Sequence, residues 1–249
     1  MNNLIQKIGI GVAMTVVAAA SLAAPALAGP PVLFGAATIV SGGNPGNAAQ
    51  LVSDPTVAPG FSGVTFALPT DTTWVNLDVV STDYNVTDDN CGGGSPRFQI
   101  KVDTNNDGVS DGNVHVAIGP SPTFTGCSLG WQNTGNVIGN EDVGRYDYSQ
   151  FGGSPFTTYS NAPASVLAGE VISVQVVVDG SWNAAATAGD SEQTVLVDNV
   201  LVNTDLHTFE PNTPSSKDAC KKGGWQSLED ANGQPFKNQG QCVSYTEPK

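Results

Sequence analysis

The chain has 249 residues, with 9 Lys plus Arg against 23 Asp plus Glu, so its formal charge is −14 and its pI is near 4.1. A chain of that charge has no positive field for phosphate backbones or anionic lipid, which argues against nucleic-acid and membrane-surface partners. Only 13% of residues are charged, and 29 Gly and 16 Pro disfavour long helices while suiting short strands joined by turns.

Residues 1–28 combine one cation, Lys7, an apolar run from Ile8 to Ala24 and the small-residue triplet Ala26, Leu27, Ala28. That is the order of a secretory leader cleaved after Ala28. The run is rich in Ala and Gly and marginal in length for a membrane span. The expectation is a secreted protein with no membrane insertion after cleavage.

From Pro31 to about Asn203 strand patterns dominate. Candidates are 32–40, 48–53, 61–68, 144–149, 155–159 and 194–202, and the alternations Val75/Leu77/Val79, Phe98/Ile100/Val102, Val114/Val116/Ile118 and Ile172/Val174/Val176/Val178. Each alternation fits a half-buried antiparallel strand. Some ten short strands without a helical period predict an all-β, antiparallel, jelly-roll-like β-sandwich over residues 29–205. Residues 206–214 read as a linker. Residues 215–249 read as a small appendage, because five cations stand there against four acids, whereas 29–214 holds three cations and 19 acids, a net charge of −16.

Cys91, Cys127, Cys220 and Cys242 form an even set, which in an exported chain points to two disulfides. Three pairings are possible. Cys91–Cys127 and Cys220–Cys242 are preferred because each brackets one local unit and the two units differ in composition. No CxxC spacing supports zinc. In the appendage, Ser216 can cap a helix to Lys222, ended by Gly223 and Gly224. A second short helix or strand fits Phe236 to Tyr245.

Between two predicted strands, Val102-Asp-Thr-Asn-Asn-Asp-Gly-Val-Ser-Asp-Gly112 places oxygen ligands at Asp103, Asn105, Asp107 and Asp111, with Gly108 sixth. This matches the first half of an EF-hand-type loop, so a structural calcium ion (Ca2+) is one expectation. Val114 occupies the twelfth position, where a bidentate Glu would stand. The other expectation is a plain acidic hairpin turn, since Asn-Asp-Gly is also turn chemistry. Asp198 is a further metal candidate: either Leu196, Val200 and Val202 face the core with it, or Val195, Val197 and Leu201 face inward and it is solvated. Trp131, Trp182, Tyr146 and Tyr159, with Trp74 and Tyr148, are aromatics able to stack on sugar rings. The alternative for each is to plug one end of the sandwich, and Trp74 reads as core.

Two resemblances follow from these residues. Ser41-Gly-Gly-Asn-Pro-Gly-Asn-Ala-Ala-Gln-Leu-Val52 and Val195-Leu-Val-Asp-Asn-Val-Leu-Val202 resemble the opening and closing strands of jelly-roll sandwiches of the carbohydrate-binding-module type. That resemblance implies that the early loop and Asp198 meet around calcium. Cys220-Lys-Lys-Gly-Gly-Trp225 with Phe236-Lys-Asn-Gln-Gly-Gln-Cys-Val-Ser-Tyr245 is similar to a short cysteine-paired C-terminal module of exported bacterial proteins. It implies no activity. The pair Glu141-Asp142 and the isolated Glu170 and Glu192 could supply a general acid and a base, but such a pair is defined by separation in space, and neither His115 nor His207 is paired in sequence with a nucleophile. The reading is therefore a non-catalytic binding or surface-interaction protein for a glycan or cell-surface component. A polysaccharide-degrading hydrolase or lyase and a structural matrix or adhesion protein are the alternatives.

Overall fold

The computed structural model describes residues 29–92, 94–179 and 192–247. The leader expected over 1–28 and the candidate Trp182 lie outside them. Among the described residues, twelve strands and two short α-helices run in the order β1 (Val32–Gly35), β2 (Thr38–Gly43), β3 (Gly46–Ser53), β4 (Ser62–Ala67), β5 (Val80–Asp88), β6 (Arg97–Asp103), β7 (Gly112–Ala117), β8 (Gln132–Asn133), β9 (Tyr146–Asp147), α1 (Ala164–Ala168), β10 (Glu170–Val178), β11 (Gln193–Val202), β12 (Asp205–His207) and α2 (Gln239–Tyr245). They form two antiparallel sheets: β1-β4-β10-β6-β7-β9, which we call the front sheet, and β2-β3-β11-β5-β8, the back sheet, with β12 paired to β11. The all-β sandwich expected from the sequence is the observed architecture.

Register explains the packing. Across the front sheet, Val64, Val176, Phe98, Val116 and Tyr146 stand side by side, all wholly buried. The adjacent row of the same strands, Thr65, Gln175, Gln99, His115 and Asp147, points to the other face. On the back sheet, Leu51, Val195 and Val86 form one inner row and Ala49, Val197 and Tyr84 the next. Apolar rows from the two sheets face each other across one core.

Several strand expectations change: residues 32–40 divide into β1 and β2, which lie in different sheets, and 144–149 shortens to β9 before a 3₁₀ turn at Ser149–Phe151. The Val75/Leu77/Val79 alternation is not a strand: residues 74–76 form a 3₁₀ turn, Trp74 is buried and Val75 is 63% exposed. The strand lies just beyond, in β5, where Val80, Thr82, Tyr84 and Val86 are buried and the residues between them are not. A bulge between Val171 and Ser173 shifts the start of β10, so Val171 rather than Ile172 joins Val174, Val176 and Val178 in the core. Residues 155–159 make only an isolated bridge, Thr157 to Tyr146.

Both disulfides pair as expected, Cys91–Cys127 with Cα atoms 5.3 Å apart and Cys220–Cys242 with Cα atoms 5.7 Å apart. The second holds a separate small core of Leu228 and Phe236, with Trp225 and Tyr245 against it. Within this tail, 217–223 is a series of turns rather than a helix, while α2 forms, capped by the Asn238 side chain. The expected linker starts later than 206, because β12 reaches His207 and Phe209 belongs to the main core. Among the described residues no helix is long and apolar enough to cross a membrane.

Candidate functional site

The polar face of the front sheet carries two adjoining hollows. The larger, of about 610 Å³, sits at the β6-β7-β9 end and includes Arg97, His115, Phe124, Arg145, Asp147 and Phe156 in its lining. The smaller, of about 440 Å³, continues over β6, β7 and β10 with Gln99, Lys101, Asn113, Gln175 and Asp179, and Phe34 and Phe61 at the β1 end. His115 of the first stands opposite Gln99 of the second, so the two share the β6-β7 ladder. Gly63 makes room for the Phe34 ring, whose edge lies where a Cβ would stand. Thr65, Arg97, Gln99, Lys101, Asn113, His115 and Gln175 are all half-buried. A sheet surface freely bathed in solvent would leave such long polar side chains mostly exposed.

Loops raise the walls of the larger hollow, and the Cys91–Cys127 disulfide ties two of them. Gly92 and Gly94 come from one, and Pro122, Thr123 and Phe124 from the other. Gly92 bridges Thr125, and the Gly126 N–H donates to the Cys91 carbonyl at 3.3 Å. Behind them, buried Gln193 of β11 accepts from the Ser95 hydroxyl at 2.5 Å and donates to the Asn90 carbonyl at 2.6 Å, linking this wall to the back sheet.

The charges of the hollow are largely matched. Arg97 donates to both Asp179 oxygens, at 2.5 and 2.6 Å. Arg145, 6% exposed, donates to the Asn140 side chain, the Ala117 carbonyl and Asp142, and its guanidinium lies 4.6 Å over the Phe124 ring. The Arg145 hydrogen bond holds the Asp142 carboxyl below its usual range. Burial, then the nearby Arg97 charge, keep His115 below the ordinary imidazole value, so it is neutral at pH 7.

The expected site residues are placed elsewhere. Tyr146 is wholly buried, its hydroxyl donating to the Val137 carbonyl and its ring stacked 5.6 Å from Tyr148. Tyr159 stacks 5.7 Å from Trp74 and meets Tyr146 edge-on. These four rings fill one end of the core, the plugging alternative of the sequence reading, and burial drives the Tyr146 and Tyr148 hydroxyls upward in pKa. Trp131, half-buried, precedes β8 at the edge of the back sheet and does not line either hollow.

In the acidic loop, Asp103 is fully buried and accepts from the N–H groups of Asn105, Asn106 and Gly108, at 3.1, 2.7 and 2.7 Å. Asp111 accepts from the Thr104 N–H and hydroxyl and from the Asn105 amide, and Asp107 from the Val109 N–H. Each carboxylate serves the hairpin turn, and among the described residues no group of three His, Cys, Asp or Glu is arranged to hold a metal ion. No role below depends on a calcium ion in this loop.

Asp198 does meet the early loop. The Asn44 and Asn199 N–H groups each donate to it at 2.7 Å, and Asn199 donates to the Asn44 carbonyl and to Asp83. Neither facing offered by the sequence is right by itself. Val195 and Val197 face inward, a bulge follows at Asn199 with φ +47°, and Val200 and Val202 face inward after it. Asp198 is 1% exposed because the Asn44 loop covers it. Burial pushes its carboxyl above the usual range, helped by Glu210 and Asp83 and opposed by the two N–H donors. Of the acids considered for catalysis, Glu141 accepts from Ser160, Glu170 from the Asp71 N–H and Glu192 from the Thr194 hydroxyl.

The class defined by this architecture is a two-layer antiparallel β-sandwich with a disulfide-stapled C-terminal appendage. Comparison with protein-family models, curated proteins and solved structures finds no match in any of the three.

Proposed function

We propose that this protein is an exported, non-catalytic binding module whose working surface is the polar face of the front sheet and whose ligand is a glycan. The observation that carries the reading is the row Thr65, Gln175, Gln99, His115 and Asp147, which crosses five strands in register and of which Gln175, Gln99, His115 and Asp147 line the two hollows. Amide, hydroxyl, imidazole and carboxylate groups offer donors and acceptors to hydroxyls. With strands about 4.8 Å apart, the part from β10 to β9 spans about 14 Å, an extended rather than point-like site. Export is supported by two disulfides and by the leader pattern of residues 1–28.

Glycan-array binding tests the reading. Gln99→Ala and Gln175→Ala are expected to weaken binding severalfold to tenfold each, since a lost hydrogen bond costs about 1 kcal/mol, with Trp131→Ala close to wild type. Binding lost in Trp131→Ala but kept in both Gln variants moves the site off this face. Release of reducing sugar from a bound polysaccharide replaces the module by a hydrolase.

A further inference from the structure

Phe156 bears two penalties at once. Its backbone sits at φ +51°, a region that bulky L-residues rarely enter, and its ring is 67% exposed at the rim of the larger hollow. Phe124, also in the lining, has a similar φ of +54°, but it is 1% exposed and packed beneath Arg145, so burial offsets its backbone cost. Nothing of that kind offsets Phe156. The chain is pinned on both sides of it: the Tyr148 N–H donates to the Ser154 carbonyl at 3.2 Å, and Thr157 exchanges two backbone hydrogen bonds with Tyr146 at 2.8 and 3.1 Å. The short arc between those anchors holds the aromatic ring out in solvent at the mouth of the cleft. Backbone strain of this sort persists where the surrounding structure over-determines it, and an exposed ring at a cleft suits a binding role.

The hollow's charges narrow the ligand. Arg97 is matched by Asp179 and Arg145 by Asp142, while Asp147, opposite His115, makes no ion pair among the described residues. The remaining charge of the hollow is negative, within a segment of net −16. A carboxylated or sulfated sugar entering here would have to break an existing ion pair to find a cation. Lys101 lines the adjoining hollow, four residues along β6 from Arg97 and so about 13 Å away along the strand.

We propose that Phe156 is the stacking platform of the larger hollow and that the ring it receives belongs to an uncharged sugar, whose hydroxyls meet His115 and Asp147. This rests on the glycan reading of the front sheet.

Titration calorimetry on the full mature chain tests it, with hexasaccharides of β-1,4-glucose, β-1,4-xylose, β-1,4-mannose and β-1,3-glucose, and with oligogalacturonate as the acidic probe. At least one neutral hexasaccharide is expected to bind, Phe156→Ala to weaken it about tenfold, Phe156→Trp to keep or strengthen it, and oligogalacturonate to bind at least tenfold more weakly. The ring is exposed, so the melting temperature of Phe156→Ala should stay near wild type and report a folded protein. Wild-type affinity in Phe156→Ala overturns the platform. Oligogalacturonate binding as tightly as the neutral sugars overturns the uncharged ligand. In both of those cases the glycan reading stands if Gln99→Ala still weakens binding. No binding of any oligosaccharide overturns the glycan reading and this inference together.

Discussion

Asp103 shows how one side chain can organise a turn. Its carboxylate takes three backbone N–H groups while closed to solvent, so Asp103→Ala would leave those donors without their acceptor inside the hairpin. The expected cost is about 3 kcal/mol, a fall in Tm on the order of 6–12 °C for a chain of this size, read by calorimetry. Because the turn is built by its own donors, millimolar calcium should leave the wild-type Tm unchanged; a calcium-induced rise abolished by Asp103→Ala would make the loop a metal site. The two histidines predict a pH dependence. Burial lowers both His115 and His207 below 6.5, so the unfolded chain binds protons that the folded chain does not. Stability therefore is full above about pH 7 and falls as pH drops through 6.5 toward the folded values. Asp198, raised in the fold, acts in the opposite sense at lower pH: its penalty is present at neutral pH and relieved on acidification. Urea midpoints between about pH 8 and about pH 5 should fall less steeply in His115→Gln than in wild type; equal slopes would remove His115 as a cause.

At the scale of elements, irregularities do what alternation cannot. The bulge in β11 lets Val195 and Val197 on one side of Asn199, and Val200 and Val202 on the other, share the core. Asn199 adopts the left-handed backbone there and its amide ties Asn44 to Asp83. Asn199→Ala loses both the backbone preference and the amide bonds and is expected to cost about 2 kcal/mol, while Asn199→Gly keeps the backbone freedom and should cost about half as much. Equal costs in urea unfolding would refute the backbone share. The Cys91–Cys127 disulfide fastens two loops that wall the larger hollow, so its removal should affect both stability and affinity for the proposed glycan. Replacing both cysteines by Ser is expected to cost about 3–4 kcal/mol by the chain-entropy argument. The bulges themselves left little trace in the sequence. Val171 and Ile172 are equally apolar, and the choice between them depends on which residue the partner strand leaves unpaired. Strand β5 is hard to read in the sequence because Ser81, Asp83, Asn85 and Thr87, its outward residues, give it the composition of a loop.

On the scale of the molecule, the main core and the tail core are separate clusters. The tail core is small enough to depend on its staple. Cys220→Ser with Cys242→Ser should make residues after about 210 protease-sensitive and leave the main Tm within about 1 °C of wild type, since distant sites are close to additive; a large fall in the main transition would show that the tail supports the sandwich. The sequence alone determined the layered β architecture, the two local disulfides and the acidic surface. Period-two burial, even cysteines in local pairs and charge counts are properties of short stretches of chain. The polar face proposed to bind was decided only by tertiary structure. Thr65, Gln99, His115, Asp147 and Gln175 are scattered over more than a hundred residues and become neighbours through register across five strands. Tyr146 and Tyr159, whose rings could stack on a sugar, are buried in the core and packed against it, while Phe156 is held out by backbone anchors before and after it. Which ring ends in solvent is set by where the chain is pinned, and pinning is a long-range property.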